Sequence, residues 1–411
     1  MKKFKLFKSY LLIAVLAVLA LSSCTKKDDP AIKNYDYFIS AESKTSITKS
    51  QAAANFTILS PQASLIGSFL TYDVDVEKVT YKTTFQGQNI QASGLVCLPK
   101  AAGNYPILSF QNGTNTLHSD APTEAYDNDI FSIIESVASM GFIVVVPDYI
   151  GFGASSQLVH PYLQAESSTQ CILDMLRAAK EFASDDTILA KPSNDLFLFG
   201  YSQGGWATLE LQKAIESNYS GEFNLVASSC GAGPYSLSEM NRYITSQTTY
   251  PTPYFLAYLL NAYTNYDLVS NPLSDFVQES YASKIPGLFD GEHEGGTINS
   301  ELTPIMANFL TTEYRTEYDT NAKFAGLKSA FIANSIAAWN TTTPTHLYHG
   351  ENDEVIPVSM SETMYADFKA KGADSKVTFT MIPDATHTTG IFPTGMETIK
   401  WFLSLKLGIS F

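Results

Sequence analysis

Short apolar runs alternate with longer amphipathic stretches along most of this chain. Residues 72–84 alternate apolar and polar side chains, and a second such run at 90–98 follows a glycine turn at 86–88. An alternation with a period of two places every second side chain on the same face of an extended strand. The two runs and the turn between them therefore predict an antiparallel hairpin.

Six further runs are short, apolar and rich in β-branched or aromatic residues. Residues 142–146 read Phe-Ile-Val-Val-Val, which is typical of a strand buried on both faces. Between the runs, residues 167–182 and 204–217 place apolar side chains on one face at helical spacing. Strand–helix–strand repetition predicts right-handed crossovers, and hence an α/β fold with a mostly parallel central sheet flanked by helices. The six runs are residues 106–110, 142–146, 196–199, 225–227, 346–348 and 377–382.

Two stretches depart from this rhythm. Residues 234–343 are rich in tyrosine, contain helix-breaking prolines and show no strand–helix pair, which predicts a helical insertion between two core strands. Residues 24–61 are polar, and we interpret them as a tether followed by a poorly defined helical lead-in. The core is therefore expected in two parts, residues 62–233 and residues 344–411.

The N-terminus has the features of an export signal. Four lysines precede an apolar run at 10–21, which is too short to span a bilayer comfortably. Residues 21–24 read Leu-Ser-Ser-Cys and resemble a bacterial lipobox, with cleavage before Cys24 and a lipid attached to its sulfur. An ordinary signal peptide with an incidental cysteine is the alternative. The resemblance implies a signal peptide over residues 1–23 and a membrane partner, with Cys24 anchoring the protein to the outer membrane on its periplasmic or surface side.

Composition narrows the classes of function. The chain is 45% hydrophobic and 16% charged, which supports a large packed core and argues against a disordered protein. The net charge is −15, and an acidic surface repels phosphate backbones, so no nucleic-acid partner is expected. Cys97, Cys171 and Cys230 form no C-x-x-C pair, and we expect them to be buried small apolar residues. No metal or organic cofactor is expected.

The sharpest chemical signal is a serine between two glycines. Residues 196–205 read Leu-Phe-Leu-Phe-Gly-Tyr-Ser-Gln-Gly-Gly, so Gly-x-Ser-x-Gly follows an apolar strand and precedes a helix. A serine on such a turn has a strained backbone that exposes its hydroxyl, and the helix N-terminus offers N–H groups to a developing oxyanion. The sequence therefore predicts Ser202 as a nucleophile. The alternative is a tight glycine turn in a domain without enzymatic activity.

A serine hydroxyl needs a base, which in this kind of motif follows the serine in the chain. Three histidines lie after Ser202 near predicted strand ends: His346, His349 and His387. His346 and His349 fall within or at the end of a strand, where packing or local hydrogen bonding is the expected role. His387 lies in a loop after the last strand, where an imidazole reaches across the sheet ends. We predict that His387 is the base.

The acid of the constellation is expected after the preceding strand. Residues 349–357 contain Glu351, Asp353 and Glu354. Asp353 is the prediction because the segment fits the pattern H-G-x-x-D-x-x-V-P, with Ile356 at the valine position. A carboxylate there holds the histidine tautomer and stabilises the imidazolium. Glu351 is the fallback.

Two backbone N–H groups are predicted to hold the oxyanion. The first belongs to Gln203, the residue after the serine, and the second is expected in the turn after the strand at 106–110. Proteins that this Gly-x-Ser-x-Gly turn resembles often have a His-Gly pair there, whereas this chain has Asn-Gly followed by Thr114. The Thr114 N–H is the candidate. The alternative is that Gly113 only serves the turn.

These motifs resemble the secretory-lipase branch of the α/β-hydrolases over about residues 72–402. Residues 146–153, Val-Pro-Asp-Tyr-Ile-Gly-Phe-Gly, and residues 160–163, His-Pro-Tyr-Leu, resemble segments of that branch. The resemblance implies an α/β-hydrolase fold in which residues 234–343 form a lid over an acyl pocket. An aromatic stripe in this region is expected either to line that pocket or to pack the lid against the core. The stripe is Tyr254, Phe255 and Tyr258.

The predicted activity is hydrolysis of a carboxylic ester through an acyl-enzyme. The expected partner is a small-molecule or glycan-linked ester substrate. A prolyl-type serine peptidase is one alternative, although neither propeller repeats nor an acidic anchor for a substrate N-terminus is evident. The other alternative is a non-catalytic glycan-binding lipoprotein on a hydrolase fold. It is disfavoured because the predicted catalytic triad of Ser202, Asp353 and His387 is complete.

Overall fold

Nine strands form one sheet in the computed structural model, which describes residues 34–59 and 66–410. The predicted signal peptide and Cys24 lie outside these residues. From Asp36 onwards the chain forms a single compact unit. The strands are β1 (Phe38–Ile47), β2 (Val74–Phe85), β3 (Gln88–Pro99), β4 (Gly103–Gln111), β5 (Ile143–Pro147), β6 (Ala190–Tyr201), β7 (Asn224–Gly231), β8 (Thr345–Gly350) and β9 (Val377–Ile382).

The order of the strands confirms the predicted fold class. Across the sheet the order is β1-β2-β3-β5-β4-β6-β7-β8-β9. The pairs from β5 to β9 are parallel, and the pairs from β1 to β5 are antiparallel. The predicted hairpin is confirmed, because β2 pairs with β3 along its whole length from Val74–Pro99 to Phe85–Gln88. The carboxyl ends of the parallel strands therefore meet at one edge of the sheet, where α/β folds place their ligands.

Fourteen α-helices accompany the sheet within the described residues. They are α1 (Lys49–Leu59), α2 (Asp129–Ser136), α3 (Ala165–Ala183), α4 (Gln203–Ala214), α5 (Leu237–Ser246), α6 (Tyr254–Asn265), α7 (Glu279–Ala282), α8 (Ile285–Leu288), α9 (Gly295–Glu301), α10 (Met306–Phe309), α11 (Thr312–Glu317), α12 (Ala325–Ala333), α13 (Ser359–Ala370) and α14 (Ile391–Leu407). None of the described helices is long and apolar enough to cross a membrane. The predicted helices at 167–182 and 204–217 correspond to α3 and α4, the second continuing as a π-helical turn.

Two hydrophobic clusters cover the two faces of the sheet. One contains side chains of α3, α4 and α13, and the other contains side chains of α1, α2 and α14. The strand β5 contributes to both clusters, and its residues are all buried, as its unbroken β-branched run predicts. Cys97, Cys171 and Cys230 are free and buried in these clusters, which confirms the expected burial.

The edge strand β1 lies within residues 24–61, where the sequence predicted a tether and a helical lead-in. Helix α1 agrees with the predicted helical lead-in, but the strand β1 was not predicted. Most of its side chains are exposed, so it lacks the apolar alternation by which a strand is recognised. Backbone pairing with β2 holds it instead, with two register shifts that mark bulges.

Helices α5–α12 all lie between β7 and β8, in the region where the sequence predicts an insertion. Among the described residues of this region, β-pairing is limited to two isolated antiparallel bridges, Thr249 with Ile305 and Val277 with Leu310. Many apolar side chains of these helices belong to the same cluster as those of α3 and α4. The insertion thus packs directly on one face of the core.

Candidate active site

Ser202 stands between the end of β6 and the start of α4, in a conformation that few non-glycine residues adopt. Its φ is 60° and its ψ is −124°. Such a conformation costs roughly 1–3 kcal/mol and persists only where the surrounding packing holds it. The sharp turn places the side chain at the carboxyl edge of the sheet, as the Gly-x-Ser-x-Gly motif predicts.

Two glycines next to Ser202 allow strand, turn and helix to approach closely. A Cβ atom at Gly200 would overlap the carbonyl group of Gly204 in the first turn of α4. A Cβ atom at Gly204 would overlap the carbonyl oxygen of Gln111 at the end of β4. The motif therefore needs glycine at both positions for reasons of packing, independently of the chemistry of the serine.

Ser202, His387 and Asp353 form one chain of hydrogen bonds. The Nε2 atom of His387 lies 2.9 Å from Ser202 Oγ, and its Nδ1 atom lies 2.7 Å from Asp353 Oδ2. An ionised carboxylate can only accept, so the proton is on Nδ1 and Nε2 accepts from the serine hydroxyl. The structure thus brings together three predicted side chains from the ends of β6, β8 and β9.

The carboxylate of Asp353 is buried and fully engaged. Its Oδ1 atom accepts hydrogen bonds from the backbone N–H groups of Val355 at 2.9 Å and Ile356 at 2.8 Å. Burial by itself raises the pKa of Asp353, but hydrogen bonds from His349 and His387 outweigh it and hold the pKa well below its ordinary value. Asp353 is therefore ionised at neutral pH.

His349 contacts Asp353, which the sequence analysis did not predict. This histidine is fully buried at the end of β8. Its Nε2 atom lies 2.8 Å from the carbonyl oxygen of Ile356 and 3.2 Å from Asp353 Oδ2, and its Nδ1 atom lies 2.7 Å from Ser361 Oγ. The expected local hydrogen bonding is present, and it includes the acid. The H-G-x-x-D pattern could have indicated this contact, because it places the histidine four residues before the acid.

The fallback acid lies elsewhere. Glu351 is exposed, and its carboxylate accepts from the backbone N–H of Asp384 at 3.1 Å. Glu354 accepts from the backbone N–H of His387 at 3.2 Å and so bonds the main chain of that residue, not its ring. The carboxylate on the His387 imidazole belongs to Asp353.

The chain segments that carry the two predicted oxyanion donors meet at the start of α4. Gln203 is the first residue of α4, and the N–H of a first helical residue has no partner within its helix. The turn after β4 packs against the same end of α4, because the Gln111 carbonyl occupies the space beside Gly204. Thr114 follows three residues later and is half-buried.

An apolar cavity of ≈ 40 Å³ adjoins Ser202. Its walls come from the core and from the insertion, so the two parts of the chain share the site. Residues in its wall include Leu237 and Met240 from α5, Leu256 and Leu259 from α6, and Val355 from the loop after β8.

The aromatic stripe of the insertion divides between the two expected roles. Phe255 lines the cavity beside Ser202. Tyr258 instead lies between Tyr162 and Phe289, with ring centroids 4.6 Å and 4.4 Å away and nearly parallel planes. Tyr254 packs on Phe255 at 4.1 Å. One part of the stripe therefore lines the pocket, and another part packs the insertion on the core.

This fold, with a serine on a sharp strand-to-helix turn and a His–Asp pair bonded to it, defines an α/β-hydrolase. Residues 116–404, which are most of the chain, match the model of the secretory lipase family. The chain belongs to the secretory lipase family and is a carboxylic ester hydrolase. The family also indicates an exported protein. No curated protein matches the chain significantly.

Solved structures share this architecture. A Legionella pneumophila protein described as a hydrolase is 24% identical with a TM-score of 0.81, covering 90% of this chain and 98% of its own. The rice cell wall degrading esterase LipA from Xanthomonas oryzae is 23% identical with a TM-score of 0.76, covering 90% and 97%. Lipase A from Candida antarctica, in its closed state, is 18% identical with a TM-score of 0.66, covering 91% and 82%. At these identities the likeness concerns the fold.

Proposed function

We propose that the protein cleaves carboxylic esters through a serine acyl-enzyme. The observation that supports the proposal is the hydrogen-bond chain from Ser202 through His387 to Asp353, with lengths of 2.9 Å and 2.7 Å. A neutral imidazole with its proton on Nδ1 is the form that can accept the serine proton. The strained turn and the helix N-terminus add the exposed nucleophile and the electropositive surroundings that this chemistry needs.

In the proposed mechanism, His387 Nε2 takes the hydroxyl proton while Ser202 Oγ attacks the ester carbonyl carbon. The backbone N–H groups of Gln203 and Thr114 hold the oxyanion of the tetrahedral intermediate. When the intermediate collapses, the bond to the alcohol oxygen breaks and His387 protonates the departing alcohol. Water then attacks the acyl-enzyme with His387 as base, which releases the acid and restores Ser202. Neither a metal nor an organic cofactor takes part in these steps.

The proposal is tested with p-nitrophenyl esters and a fluorophosphonate probe. Ser202→Ala should lower kcat/KM by about 10⁴-fold or more and abolish labelling. Ser404→Ala is the matched control, because that hydroxyl donates to the Trp401 carbonyl within α14, and it should behave as wild type. Ester hydrolysis that survives in Ser202→Ala would refute the assignment. Turnover of dipeptide amides in preference to esters would favour the peptidase alternative.

We propose short acyl groups as the preferred substrates. The cavity at Ser202 has a volume of ≈ 40 Å³, well below the roughly 150 Å³ of an apolar cavity that holds benzene. A methylene that does not fit costs about tenfold or more in kcat/KM. The alcohol part is proposed to be a small molecule or a glycan, which acetylated small alcohols and acetylated polysaccharides would separate.

An acyl-chain series tests this preference. Acetyl to butyryl esters should exceed octanoyl esters in kcat/KM by at least about tenfold. Leu256→Ala, which enlarges the cavity, should shift the optimum towards longer chains. Leu268→Ala is the control, since this leucine of the insertion is 40% exposed, and it should leave the optimum unchanged. A wild-type optimum at octanoyl or longer would contradict the proposal.

The insertion of residues 234–343 is proposed to be the lid of this pocket. Helices α5 and α6 supply much of the cavity wall beside Ser202, so substrate access depends on these helices. The lid proposal predicts that a disulfide locking α5 to the core would block hydrolysis reversibly, with activity restored by reductant.

We propose that the mature protein is a lipoprotein anchored through Cys24 to the outer membrane. The lipobox-like sequence at 21–24 and the basic and apolar segment before it support this proposal. Labelled palmitate should enter the wild-type protein and not Cys24→Ala, while Cys97→Ala, which alters a buried core thiol, should label normally. Protease shaving of intact cells then separates a surface from a periplasmic location. Unchanged labelling of Cys24→Ala would contradict the anchor.

A further inference from the structure

A buried histidine outside the triad bonds the side chain of a predicted oxyanion residue. His160 Nε2 lies 2.8 Å from the amide nitrogen of Gln203, and His160 Nδ1 lies 2.7 Å from the carbonyl oxygen of Ile150. Both His160 and Gln203 are buried. Because a carbonyl can only accept, the proton of the imidazole is on Nδ1 and Nε2 accepts from the amide.

This arrangement requires a neutral histidine. Burial lowers the pKa of His160 to about 4, so the ring is uncharged at neutral pH. Rotating the Gln203 amide by 180° would place its oxygen against an acceptor nitrogen, so one orientation of the amide is strongly preferred. The Gln203 oxygen is buried without a hydrogen-bond partner among the described residues. Within those residues, the bond to His160 is therefore the one that holds this side chain.

Two residues further on, a tyrosine bonds the other predicted oxyanion residue. The hydroxyl groups of Tyr162 and Thr114 are 2.8 Å apart. Thr114 lies in a segment without regular secondary structure, so no helix or sheet ladder holds its backbone. The bond to Tyr162 supplies a fixed point close to the Thr114 N–H.

The segment that carries both side chains, His160–Leu163, is itself firmly held. Leu163 has a φ of 52°, and its carbonyl oxygen accepts from the Tyr263 hydroxyl of α6 at 3.0 Å. The Tyr162 ring stacks on Tyr258 of the same helix at 4.6 Å with an interplanar angle of 9°. The backbone of His160 lies so close to Gly151 that a Cβ there would overlap it. A rigid segment thus bonds both sides of the oxyanion site.

We propose that His160 and Tyr162 are positioning residues that hold Gln203 and Thr114, and with them the two oxyanion donors, in place for the tetrahedral intermediate. The inference rests on the proposed acyl-enzyme mechanism. Donors of this kind act only if they are preorganised at the position of the developing charge, and losing one donor costs about 10²–10³-fold in kcat. Loosening a donor without removing it should cost less, on the order of tenfold.

The first experiment is a double-mutant cycle on the two hydroxyl groups. Tyr162→Phe and Thr114→Val each remove one hydroxyl and keep the shape of the side chain. Each should lower kcat by about tenfold with KM changed less than about twofold, and the double variant should be no worse than either single variant. Additive losses, or a kcat equal to wild type in Tyr162→Phe, would overturn the role of Tyr162.

The matched control is Tyr81→Phe. This tyrosine is also fully buried, and its hydroxyl donates to the Cys171 carbonyl at 2.9 Å, in the core. It should lose stability by a similar amount and retain the kcat of wild type. A fall in kcat equal to that of Tyr162→Phe would show that any lost phenol bond has the same effect, and would overturn the proposal.

The second experiment examines His160 separately. His160→Phe keeps a ring in contact with Tyr149 and Phe152 and removes both hydrogen bonds. It should lower kcat by about tenfold or more, whereas His160→Gln, which restores an acceptor near the position of Nε2, should recover part of that loss. If the phenylalanine variant does not fold, the comparison of His160→Gln with wild type still decides. Equal kcat in all folded His160 variants would contradict the inference.

A transition-state analogue provides a readout that a purely structural role does not move. Trifluoromethyl ketones form a tetrahedral adduct with a serine nucleophile, so their Ki per active site, counted by fluorophosphonate titration, should rise in Tyr162→Phe by the same factor as kcat/KM falls. An unchanged Ki would overturn the proposal. Ser202→Ala separates the two levels: activity in that variant defeats the mechanism itself, whereas an inactive Ser202→Ala beside a fully active Tyr162→Phe defeats only this inference.

Discussion

At the scale of single residues, the site depends on which carboxylate holds the histidine ring. Asp353 is buried and bonded by two backbone N–H groups and two histidines, whereas Glu351 is exposed. A buried carboxylate with this many donors remains ionised and keeps one orientation. Glu351, Asp353 and Glu354 therefore have different roles although they lie within four positions, because their burial and hydrogen-bond partners differ.

Exchanging each carboxylate for its amide tests this difference. Asp353→Asn should lower kcat by about 10⁴-fold, because an amide in this place favours the wrong imidazole tautomer. Glu351→Gln is the matched control and should stay within about twofold of wild type. Both rates are measured with the same p-nitrophenyl ester. A larger loss in Glu351→Gln than in Asp353→Asn would reverse the assignment of the acid.

A second single residue, Glu135 in α2, predicts a pH dependence of stability. It is buried, one of its oxygens has no hydrogen-bond partner among the described residues, and burial raises its pKa to about 8. At a pH between its pKa in the unfolded chain and its raised pKa in the folded protein, such a carboxyl group is protonated when folded and ionised when unfolded. Its contribution to stability is therefore complete below the unfolded pKa and is lost as the pH rises towards 8.

Urea unfolding at pH 5 and pH 8.5 measures this contribution. Wild type should lose up to about 4 kcal/mol more than Glu135→Gln over this interval, since the amide does not titrate. Glu166→Gln, at an exposed position of α3, should follow wild type. Parallel pH profiles for wild type and Glu135→Gln would contradict a neutral buried carboxyl.

At the scale of elements, the edge strand β1 depends on a helix for its start. The carboxylate of Glu181 in α3 accepts from the backbone N–H groups of Asp36, Tyr37 and Phe38, at 3.1, 2.9 and 2.7 Å. The carboxylate that accepts from these N–H groups is 143 to 145 residues away in the sequence. A polar strand with few buried side chains is thus attached at its beginning by charge-assisted bonds.

Removing this attachment should loosen β1. Glu181→Ala is expected to lower the free energy of unfolding by about 1–3 kcal/mol and to expose residues 36–47 to limited proteolysis. The control is Glu42→Ala, because that side chain is 70% exposed and its ion pair with Lys44 is long at 3.8 Å, so its effect should stay below about 0.5 kcal/mol. Equal proteolysis of both variants would show that Glu181 does not hold the strand.

At the scale of the whole molecule, tyrosines of the insertion bond main-chain carbonyls of the core beside the site. Tyr250 donates to Val355 at 3.1 Å and Tyr263 donates to Leu163 at 3.0 Å. Tyr266 donates to Val159 in the same way. The carbonyl partners lie in the loop of the acid and around the segment of His160 and Tyr162. The insertion therefore holds the loops of the site through these bonds.

The three phenol bonds can be removed together. A variant with Tyr250, Tyr263 and Tyr266 replaced by Phe should lose about 1 kcal/mol of stability per bond. Hydrogen exchange should become faster in residues 234–343 and in the core loops they contact, with the central strands unchanged. A uniform change of exchange over the whole molecule would mean that the insertion and the core open only together.

The sequence by itself determined the features that depend on local periodicity and local sterics. The hairpin and the helices α3 and α4 follow from apolar spacings of two and 3.6 residues, and the buried β5 follows from its unbroken β-branched run. Gly200 and Gly204 follow from the close approach that a strand-to-helix turn imposes. The order of serine, acid and histidine along the chain was also readable, because it is a property of the connectivity of this kind of fold.

Only the tertiary structure decided the contacts between residues distant in the sequence. His160 and Gln203 are 43 positions apart, and Thr114 and Tyr162 are 48 apart, so no local pattern pairs them. The strand β1 was missed because its stability comes from backbone pairing and from Glu181, neither of which leaves an apolar pattern. The volume beside Ser202 depends on how α5 and α6 pack on the core, and packing is a property of the assembled chain.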